Sequence, residues 1–182
     1  MIYLHSIIEF SHKLLQKHIT KADVALDLTV GNGNDMLFLV RIARFVYGFD
    51  IQAEAIKRAE EKLAGYDNYL LINDSHENFI TYVKDKYKAA IFNLGYLPGG
   101  DKTITTKAEI TLRAMKAVLE NIEKGGICVT VVYPGHPEGE EESRILFDYL
   151  SGLNQEQYQV LKYEFINQIN RPPYILATRR MR

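Results

Sequence analysis

The fold of this chain is decided by the stretch Val24-Ala25-Leu26-Asp27-Leu28-Thr29-Val30-Gly31-Asn32-Gly33-Asn34-Asp35. It begins as a short apolar strand, continues into a turn with two glycines and ends where a helix is predicted to start. Gly31 and Gly33 permit backbone angles that other residues avoid, and the amides at the start of a helix favour an anionic group. This pattern predicts a cofactor loop between a strand and a helix.

The spacing within the loop argues against two familiar nucleotide sites. A dinucleotide fingerprint needs a third small residue where this chain has Met36. A Walker-type phosphate loop continues with Gly-Lys-Ser/Thr, whereas Gly33 is followed by Asn34 and Asp35. Asp27, which precedes the first glycine, can face an ammonium group while the loop amides face a carboxylate. S-adenosylmethionine carries this pair of charges, so we expect it to be the cofactor.

A second acid, Asp50, ends the apolar stretch Phe45-Val46-Tyr47-Gly48-Phe49. A carboxylate at this place can accept hydrogen bonds from both hydroxyls of a ribose. Asp50 could instead be the N-cap of the helix that is predicted over 51–63. Because Asp50 accompanies the glycine loop, we interpret it as a ribose ligand.

The composition predicts one domain, over 1–182, with an N-terminal helix. The chain has 182 residues, 47% of them hydrophobic, which is enough for a single core. No apolar run approaches a membrane span and the N-terminus lacks a secretory pattern, so we expect a cytoplasmic protein without a membrane partner. The only cysteine, Cys128, excludes a disulfide framework and a cysteine-rich metal site, and we expect no metal.

The net charge of −1 argues against a strong, nonspecific nucleic-acid binder, and we expect no DNA partner. It still permits a local basic patch that docks a structured RNA.

Apolar stretches alternate with amphipathic ones along the chain, which predicts an α/β fold. Helices are expected over 6–18, after Asp35, over 51–63, after Glu77, over 107–122 with a capping box of Thr106 and Glu109, and after Glu140. Strands are expected at the Asp27 stretch and over 45–50, 69–73, 89–92 and 127–133, followed by a hairpin of 158–167 and 174–178 around 170–173. The predicted architecture is a doubly wound, mostly parallel seven-stranded sheet with an antiparallel C-terminal hairpin. Its ligand crevice is expected at the carboxyl ends of the strands.

Motifs at these strand ends resemble the class I methyltransferases, which have a Rossmann-like fold, and among them a small bacterial family described as rRNA methylases. They are the 27–35 loop, Gly48-Phe49-Asp50-Ile51-Gln52, Asp74-Ser75-His76-Glu77, Asn93-Leu94-Gly95-Tyr96-Leu97-Pro98-Gly99-Gly100 and Tyr133-Pro134-Gly135-His136-Pro137. The family is similar to tRNA wobble-uridine enzymes that methylate the amine of 5-aminomethyl-uridine or its 2-thio form. The resemblance therefore implies tRNA, through its anticodon region, as the partner.

The resemblance also assigns parts of the cofactor to this chain. It implies that the methionine part lies against Gly31, Asn32, Gly33 and Asp35, the ribose against Asp50 and Gln52, and the adenine against Asp74, Ser75 and His76. The expected cofactor site further includes Asp27, Thr29, Asn34, Ile51 and Asn93. His76 could instead be a helix-start residue that makes one local hydrogen bond.

The segment Asn93-Leu94-Gly95-Tyr96 occupies the place where many amino-methylating relatives have Asn/Asp-Pro-Pro-Tyr/Phe. In that motif a polar group and a main-chain carbonyl orient the nucleophilic nitrogen. Leu94 and Gly95 replace both prolines, so the rigid backbone of the motif is missing here. Asn93 and Tyr96 are the expected catalytic residues, and a turn-forming asparagine and a core tyrosine are the alternatives.

An alkylammonium must lose a proton before it can be methylated, so a nearby proton acceptor or a desolvated site would help. His136 and Asp101 are candidate acceptors, or else a loop histidine and a turn aspartate. Arg171, at the tip of the hairpin, is expected to bind an RNA phosphate, with an ordinary turn as the alternative. The expected substrate-binding residues are Tyr96, Asp101, Tyr133, His136, Arg171 and Pro172.

Other functions remain open at this point. The protein could methylate rRNA or a small amine, or it could bind cofactor or RNA without catalysis. A nicotinamide oxidoreductase also fits the fold, although the missing third glycine argues against it. A monomer and a homodimer are both compatible with the sequence.

Overall fold

The computed structural model describes residues 4–95 and 106–182. Its strands are β1 (Val24–Asp27), β2 (Phe45–Phe49), β3 (Tyr69–Ile72), β4 (Ala89–Asn93), β5 (Ile127–Val132), β6 (Tyr158–Tyr163) and β7 (Tyr174–Arg180). They form one sheet in the order β3-β2-β1-β4-β5-β7-β6. The first five strands are parallel, and β7 runs antiparallel to both β5 and β6. The predicted Rossmann-like sheet with its antiparallel C-terminal hairpin is confirmed.

The helices are α1 (Ile7–His18), α2 (Asn34–Ile42), α3 (Ala53–Lys62), α4 (Phe79–Tyr82), α5 (Ala108–Asn121) and α6 (Pro137–Ser151), with a 3₁₀ turn over His76–Asn78. Helix α1 starts with a capping box between Ser6 and Glu9, which satisfies two amides that lack a partner within the helix. Across 4–95 and 106–182, none of the helices has the length and apolarity that a membrane crossing requires.

Two hydrophobic clusters cover the two faces of the sheet. Within β1, Val24 and Leu26 belong to one cluster and Ala25 to the other, as expected when successive side chains of a strand point to opposite faces. The first cluster includes Met115 of α5, and the second includes Leu15 of α1. Helices α1–α3 therefore pack on one face and α4–α6 on the other.

The strand order changes direction at β1, which lies between β2 and β4. In an open parallel sheet this arrangement leaves a crevice beyond the carboxyl ends of the central strands. Asp27, Phe49 and Asn93 end these three strands, so the glycine loop and the Asn93 segment meet at the crevice.

Three predicted details of the elements were wrong. Thr106 and Glu109 do not form a capping box, because α5 has Lys107 as its N-cap and the Thr106 hydroxyl bonds Glu142 instead. Helix α6 begins at Pro137, not after Glu140, since proline is well tolerated at the first position of a helix. Strand β6 ends at Tyr163 and β7 continues to Arg180, so the hairpin connection spans 164–173.

Candidate functional site

A cavity of about 710 Å³ lies at the carboxyl ends of the parallel strands. This volume is within the range of about 300–1,000 Å³ that is usual for small-molecule sites. Its wall includes most of the predicted site residues, namely Thr29, Gly31, Asn32, Asn34, Asp35, Asp50, Ile51, Gln52, Ser75, His76, Asn93, Tyr133, His136 and Arg171. Asp27, Gly33, Asp74 and Pro172 do not line this cavity, and Tyr96 and Asp101 lie outside the described residues.

The two loop glycines have different reasons to be glycine. Both have a positive φ, 50° at Gly31 and 71° at Gly33, where residues with a side chain are strained. A Cβ atom on Gly33 would also lie 2.9 Å from the Cα atom of Ala59 in α3. Gly33 therefore allows α2 and α3 to approach closely behind the loop, whereas Gly31 lies on the cavity wall.

The Asp50 carboxylate holds the two cofactor-side loops together. Its Oδ2 accepts a hydrogen bond from the backbone amide of Gly31 at 2.8 Å, and its Oδ1 accepts one from Gln52 at 2.9 Å. Burial raises the pKa of Asp50. Asp50 is not the N-cap of α3, because Gln52 occupies that position.

Asp27 is completely buried, so it lies behind the cavity wall and does not face the cavity. Its Oδ1 accepts a hydrogen bond from the Thr29 amide at 3.1 Å, and its Oδ2 has no hydrogen-bond partner among the described residues. Burial, followed by the nearby Asp35 and Asp50 carboxylates, raises the pKa of Asp27 well above its ordinary value. In this structure it is Asp35, on the wall, that can face a ligand cation directly.

Asn93 is attached to the glycine loop through both its backbone and its side chain. The backbone amide of Asn93 donates to the Thr29 hydroxyl at 2.6 Å, and its Nδ2 donates to Asp35 Oδ2 at 3.0 Å. The other oxygen of Asp35, Oδ1, lies 2.6 Å from Nε2 of His12 in α1. The sequence analysis missed His12, because only the apolar stripe of α1 was interpretable without knowing which helix packs beside α2.

The residues after β3 point in different directions. Burial lowers the pKa of His76 to about 4, so the ring on the cavity wall is neutral at pH 7. The Asp74 carboxylate accepts hydrogen bonds from the Ser75 amide, Asn78 and Tyr82, and these bonds lower its pKa. The predicted contact of Asp74 with adenine is therefore not supported by its position, whereas Ser75 and His76 do line the cavity.

His136 is the N-cap of α6. Its Nδ1 accepts a hydrogen bond from the Gly139 amide at 3.1 Å, so a neutral ring carries its proton on Nε2. The Glu138 carboxylate, 3.3 Å from the same Nδ1, cannot also accept a hydrogen bond from it, because Nδ1 carries no proton in this form. The capping bond uses the Nδ1 lone pair, so it argues against His136 as a proton acceptor. That role stays a prediction.

Tyr133 and Arg171 also line the cavity. Burial and the Asp35 carboxylate raise the pKa of Tyr133, so its hydroxyl remains protonated at pH 7. Arg171 has a left-handed backbone (φ 48°), as does Asn170 (φ 65°), and its guanidinium pairs with Glu140 of α6 at 2.5 Å. This exposed ion pair ties the hairpin connection to α6 at the edge of the cavity.

The wall also contains residues from the start of α5 that the sequence analysis did not select, namely Thr106, Lys107 and Ile110. The sequence marked Thr106 only as a predicted cap, and no sequence signal indicated Lys107 or Ile110 as site residues. Over residues 4–95 and 106–182, no group of three or more His, Cys, Asp or Glu side chains is arranged to hold a metal ion.

Comparisons with known proteins agree with this geometry. The family described as "Putative rRNA methylase" matches residues 46–179. A chloroplastic tRNA (mnm(5)s(2)U34)-methyltransferase of Arabidopsis thaliana is 32% identical over 188 residues, which cover 94% of this chain and 69% of the relative.

The matches to two solved structures cover the whole of those chains. A putative rRNA-methylase from Clostridium thermocellum has a TM-score of 0.96 and 35% identity over 99% of this chain. A putative methyltransferase from Streptococcus mutans was solved in complex with SAH (S-adenosylhomocysteine). It has a TM-score of 0.93 and 37% identity over 98% of this chain. The chain is therefore a methyltransferase that belongs to the "Putative rRNA methylase" family.

Proposed function

We propose that this protein transfers a methyl group from S-adenosylmethionine to the amine of 5-aminomethyl-(2-thio)uridine at the wobble position of tRNA. The observation that carries the proposal is that one cavity is lined by the glycine loop and Asp50 and also by Asn93, Tyr133 and Arg171. The name of the Arabidopsis relative, which specifies mnm(5)s(2)U34, supports the choice of acceptor.

The residues of the cavity fit S-adenosylmethionine. We assign the methionine end to Asp35 and the amides of the glycine loop, because a carboxylate and backbone N–H groups complement an ammonium and a carboxylate. We assign the ribose to Asp50, and the adenine to Ile51 and His76, which line the same cavity. The SAH complex of the Streptococcus mutans protein supports the choice of S-adenosylmethionine as the cofactor. When bound, the cofactor supplies a methyl group on a positively charged sulfur.

The chain's own contribution is to orient the acceptor amine. The Asn93 side-chain N–H donates a hydrogen bond to Asp35, so the side-chain oxygen Oδ1 is the group that can accept a hydrogen bond from the amine. Tyr133, which is half-buried, remains protonated and lines the same cavity, can offer a hydroxyl. Holding a neutral amine in line with an electrophile supplies much of the rate enhancement in such a reaction, because the entropic cost of alignment is met on binding.

Two cations at the cavity can attract the RNA backbone. Lys107 and Arg171 both line the cavity, in a chain whose net charge is only −1. Phosphate contacts of this kind position a nucleic acid without reading its sequence. The ion pair of Arg171 with Glu140 is exposed, so a phosphate can displace it at little cost.

Methylation of rRNA is the second candidate, because the description of the family favours it. The experiment that separates the two is nucleoside mass spectrometry after incubation of protein and S-adenosylmethionine with tRNA that carries the unmethylated aminomethyl group. Ribosomal RNA is treated in parallel, and Asp50→Ala is the control for cofactor dependence. We expect one added methyl group on the wobble nucleoside alone. A product found only in rRNA would contradict the proposal.

A further inference from the structure

Helix α1 brings one polar side chain to the back of the cofactor loop. His12 Nε2 lies 2.6 Å from Oδ1 of Asp35, and the side chains are 23% and 7% exposed, respectively. The neighbouring residue Ser11 is buried and Leu15 is completely buried, so this part of α1 is packed against the sheet. The contact therefore belongs to a fixed helix and not to a loose surface chain.

The His12 ring is held from two sides by α2. It stacks on the Phe38 ring with 4.0 Å between centroids and 3° between planes, while its edge meets Asp35. Asp35 and Phe38 are three residues apart, so they project from the same side of α2. Rotation of the ring would lose the stack or the hydrogen bond, and this double contact fixes its orientation.

Asp35 divides its two oxygens between His12 and Asn93. A carboxylate only accepts hydrogen bonds, so His12 Nε2 donates to Oδ1 and Asn93 Nδ2 donates to Oδ2. The backbone of Asn93 is already held by the Thr29 hydroxyl. What remains to be set is the rotation of the Asn93 amide, and this depends on the direction in which the Asp35 carboxylate faces.

We propose that His12 is a positioning residue, which acts through Asp35 to hold the Asn93 amide with its nitrogen on Asp35 and its oxygen available to the acceptor amine. The role in turnover rests on the proposed function, because it assumes that Asn93 meets the acceptor. Without the His12 donor, Oδ1 of this nearly buried carboxylate loses its partner, and the carboxylate is no longer held in one rotation, since an unsatisfied buried acceptor is costly. The Asn93 amide then loses its single orientation.

Two variants separate the hydrogen bond from the stack. His12→Phe retains an aromatic ring on Phe38 and removes the donor, whereas His12→Gln removes the ring and offers an amide N–H at about the position of Nε2. The control is His18→Gln on the same helix, where the His18 ring bonds the Leu14 carbonyl. We expect kcat to fall about tenfold in His12→Phe, to recover within about threefold of wild type in His12→Gln, and KM for tRNA to stay within about threefold. Wild-type kcat in a folded His12→Phe, or equal losses in both variants, would overturn the proposal.

A spectroscopic measurement tests the same contact without any substrate. In protein labelled with ¹⁵N-asparagine, the Nδ2 signals of Asn93 are identified by their loss in Asn93→Ser. We expect these signals to shift in His12→Phe and to keep their positions in His12→Gln. If wild-type protein methylates no aminomethyl tRNA, the proposed function fails, and these signals still decide whether His12 holds Asn93. Unshifted signals in His12→Phe would show that it does not.

Discussion

Three aspartates surround the glycine loop, and their partners give them different properties. Asp27 is completely buried and has a raised pKa. Asp35 lies on the cavity wall between His12 and Asn93, and Asp50 accepts hydrogen bonds from two backbone amides. The three aspartates therefore have different roles. Asp27 is a buried acid, Asp35 links helix α1 to the end of β4, and Asp50 connects two loops.

Asp50→Ala should weaken SAH binding about 10- to 100-fold. The change removes a carboxylate from the proposed ribose site and also releases the Gly31 amide, and hydrogen bonds to charged groups contribute about 1.5–3 kcal/mol each. Isothermal titration calorimetry measures the effect. The matched control is Glu54→Ala, which removes a carboxylate of α3 that pairs with Arg58. An affinity within threefold of wild type in folded Asp50→Ala would show that Asp50 is not a cofactor ligand.

His76 should make the protein less stable in mild acid. Its pKa is about 4 in the folded protein against an ordinary 6.5, because burial disfavours the charged ring. Between these values the unfolded chain binds more protons, so the free energy of unfolding falls as the pH drops from about 6.5 towards 4. At pH 5 this loss is about 2 kcal/mol.

The measurement is urea unfolding of wild type and His76→Asn at pH 7 and pH 5. The asparagine cannot be protonated, so the loss between the two pH values should be about 2 kcal/mol smaller than in wild type. His18→Gln serves as the control, since His18 lies on α1, away from the cavity wall. If the free energy of unfolding fell equally in wild type and His76→Asn between pH 7 and pH 5, the lowered pKa of His76 would be contradicted.

At the scale of elements, one buried carboxylate joins α6, α5 and the end of β4. Glu142 is 2% exposed and accepts hydrogen bonds from the hydroxyls of Thr106 at 2.8 Å and Thr111 at 2.7 Å. The Thr106 hydroxyl in turn accepts one from the Gly95 amide at 3.2 Å. Burial raises the pKa of Glu142, and the hydrogen bonds from the two hydroxyls partly counteract this rise.

Glu142→Ala should lower the free energy of unfolding by about 2–4 kcal/mol. The change leaves two hydroxyls without their acceptor and opens a small cavity between helices. Chemical denaturation measures the difference. The control is Glu141→Ala, which changes the exposed neighbouring residue and should stay within about 0.5 kcal/mol. If the two variants were equally stable, the carboxylate would not contribute to helix packing.

Arg171, in the connection between β6 and β7, is the residue that we expect to contribute to RNA binding. Arg171→Ala should weaken tRNA binding severalfold and reduce its salt dependence by about one phosphate contact, while SAH affinity stays unchanged. Filter binding at several salt concentrations measures both quantities. The control is Arg144→Ala, because Arg144 is an equally exposed arginine of α6 whose contact is Asp148. Equal losses in both variants would indicate a general charge effect and not a contact at the cavity.

At the scale of the whole molecule, the cavity joins segments that follow β1, β2, β3, β4 and β5, so a ligand there stabilises the domain as a unit. At about 100 times its dissociation constant, SAH should add about 2.7 kcal/mol, which corresponds to a rise in Tm of about 5–10 °C for a domain of this size. NAD at the same concentration should leave Tm unchanged. Differential scanning calorimetry measures both, and a larger shift with NAD would favour a nicotinamide enzyme.

Much of the fold could be predicted because it depends on local patterns. The order of the elements followed from hydrophobic periods of two and 3.6 residues, and the antiparallel hairpin from the last two apolar stretches. The boundaries were less accurate where two signals compete, as at Thr106, which has the sequence of a capping box but bonds Glu142 from a distant helix. In the site, most of the predicted residues that follow strands line the cavity, because parallel strands bring their carboxyl ends to one edge, although Asp74 after β3 does not.

The sequence by itself determined the sheet, the glycine loop and the positions of Asp50 and Asn93 at strand ends. Each of these depends on residues that are close in the chain or on a rule that holds for all parallel sheets. Only the tertiary structure decided that Asp27 is buried behind the wall, that His136 caps a helix and that His12 meets Asp35 across 23 residues. The choice of a hydrogen-bond partner depends on which helices and strands pack together, and that is set by the whole core and not by any single segment.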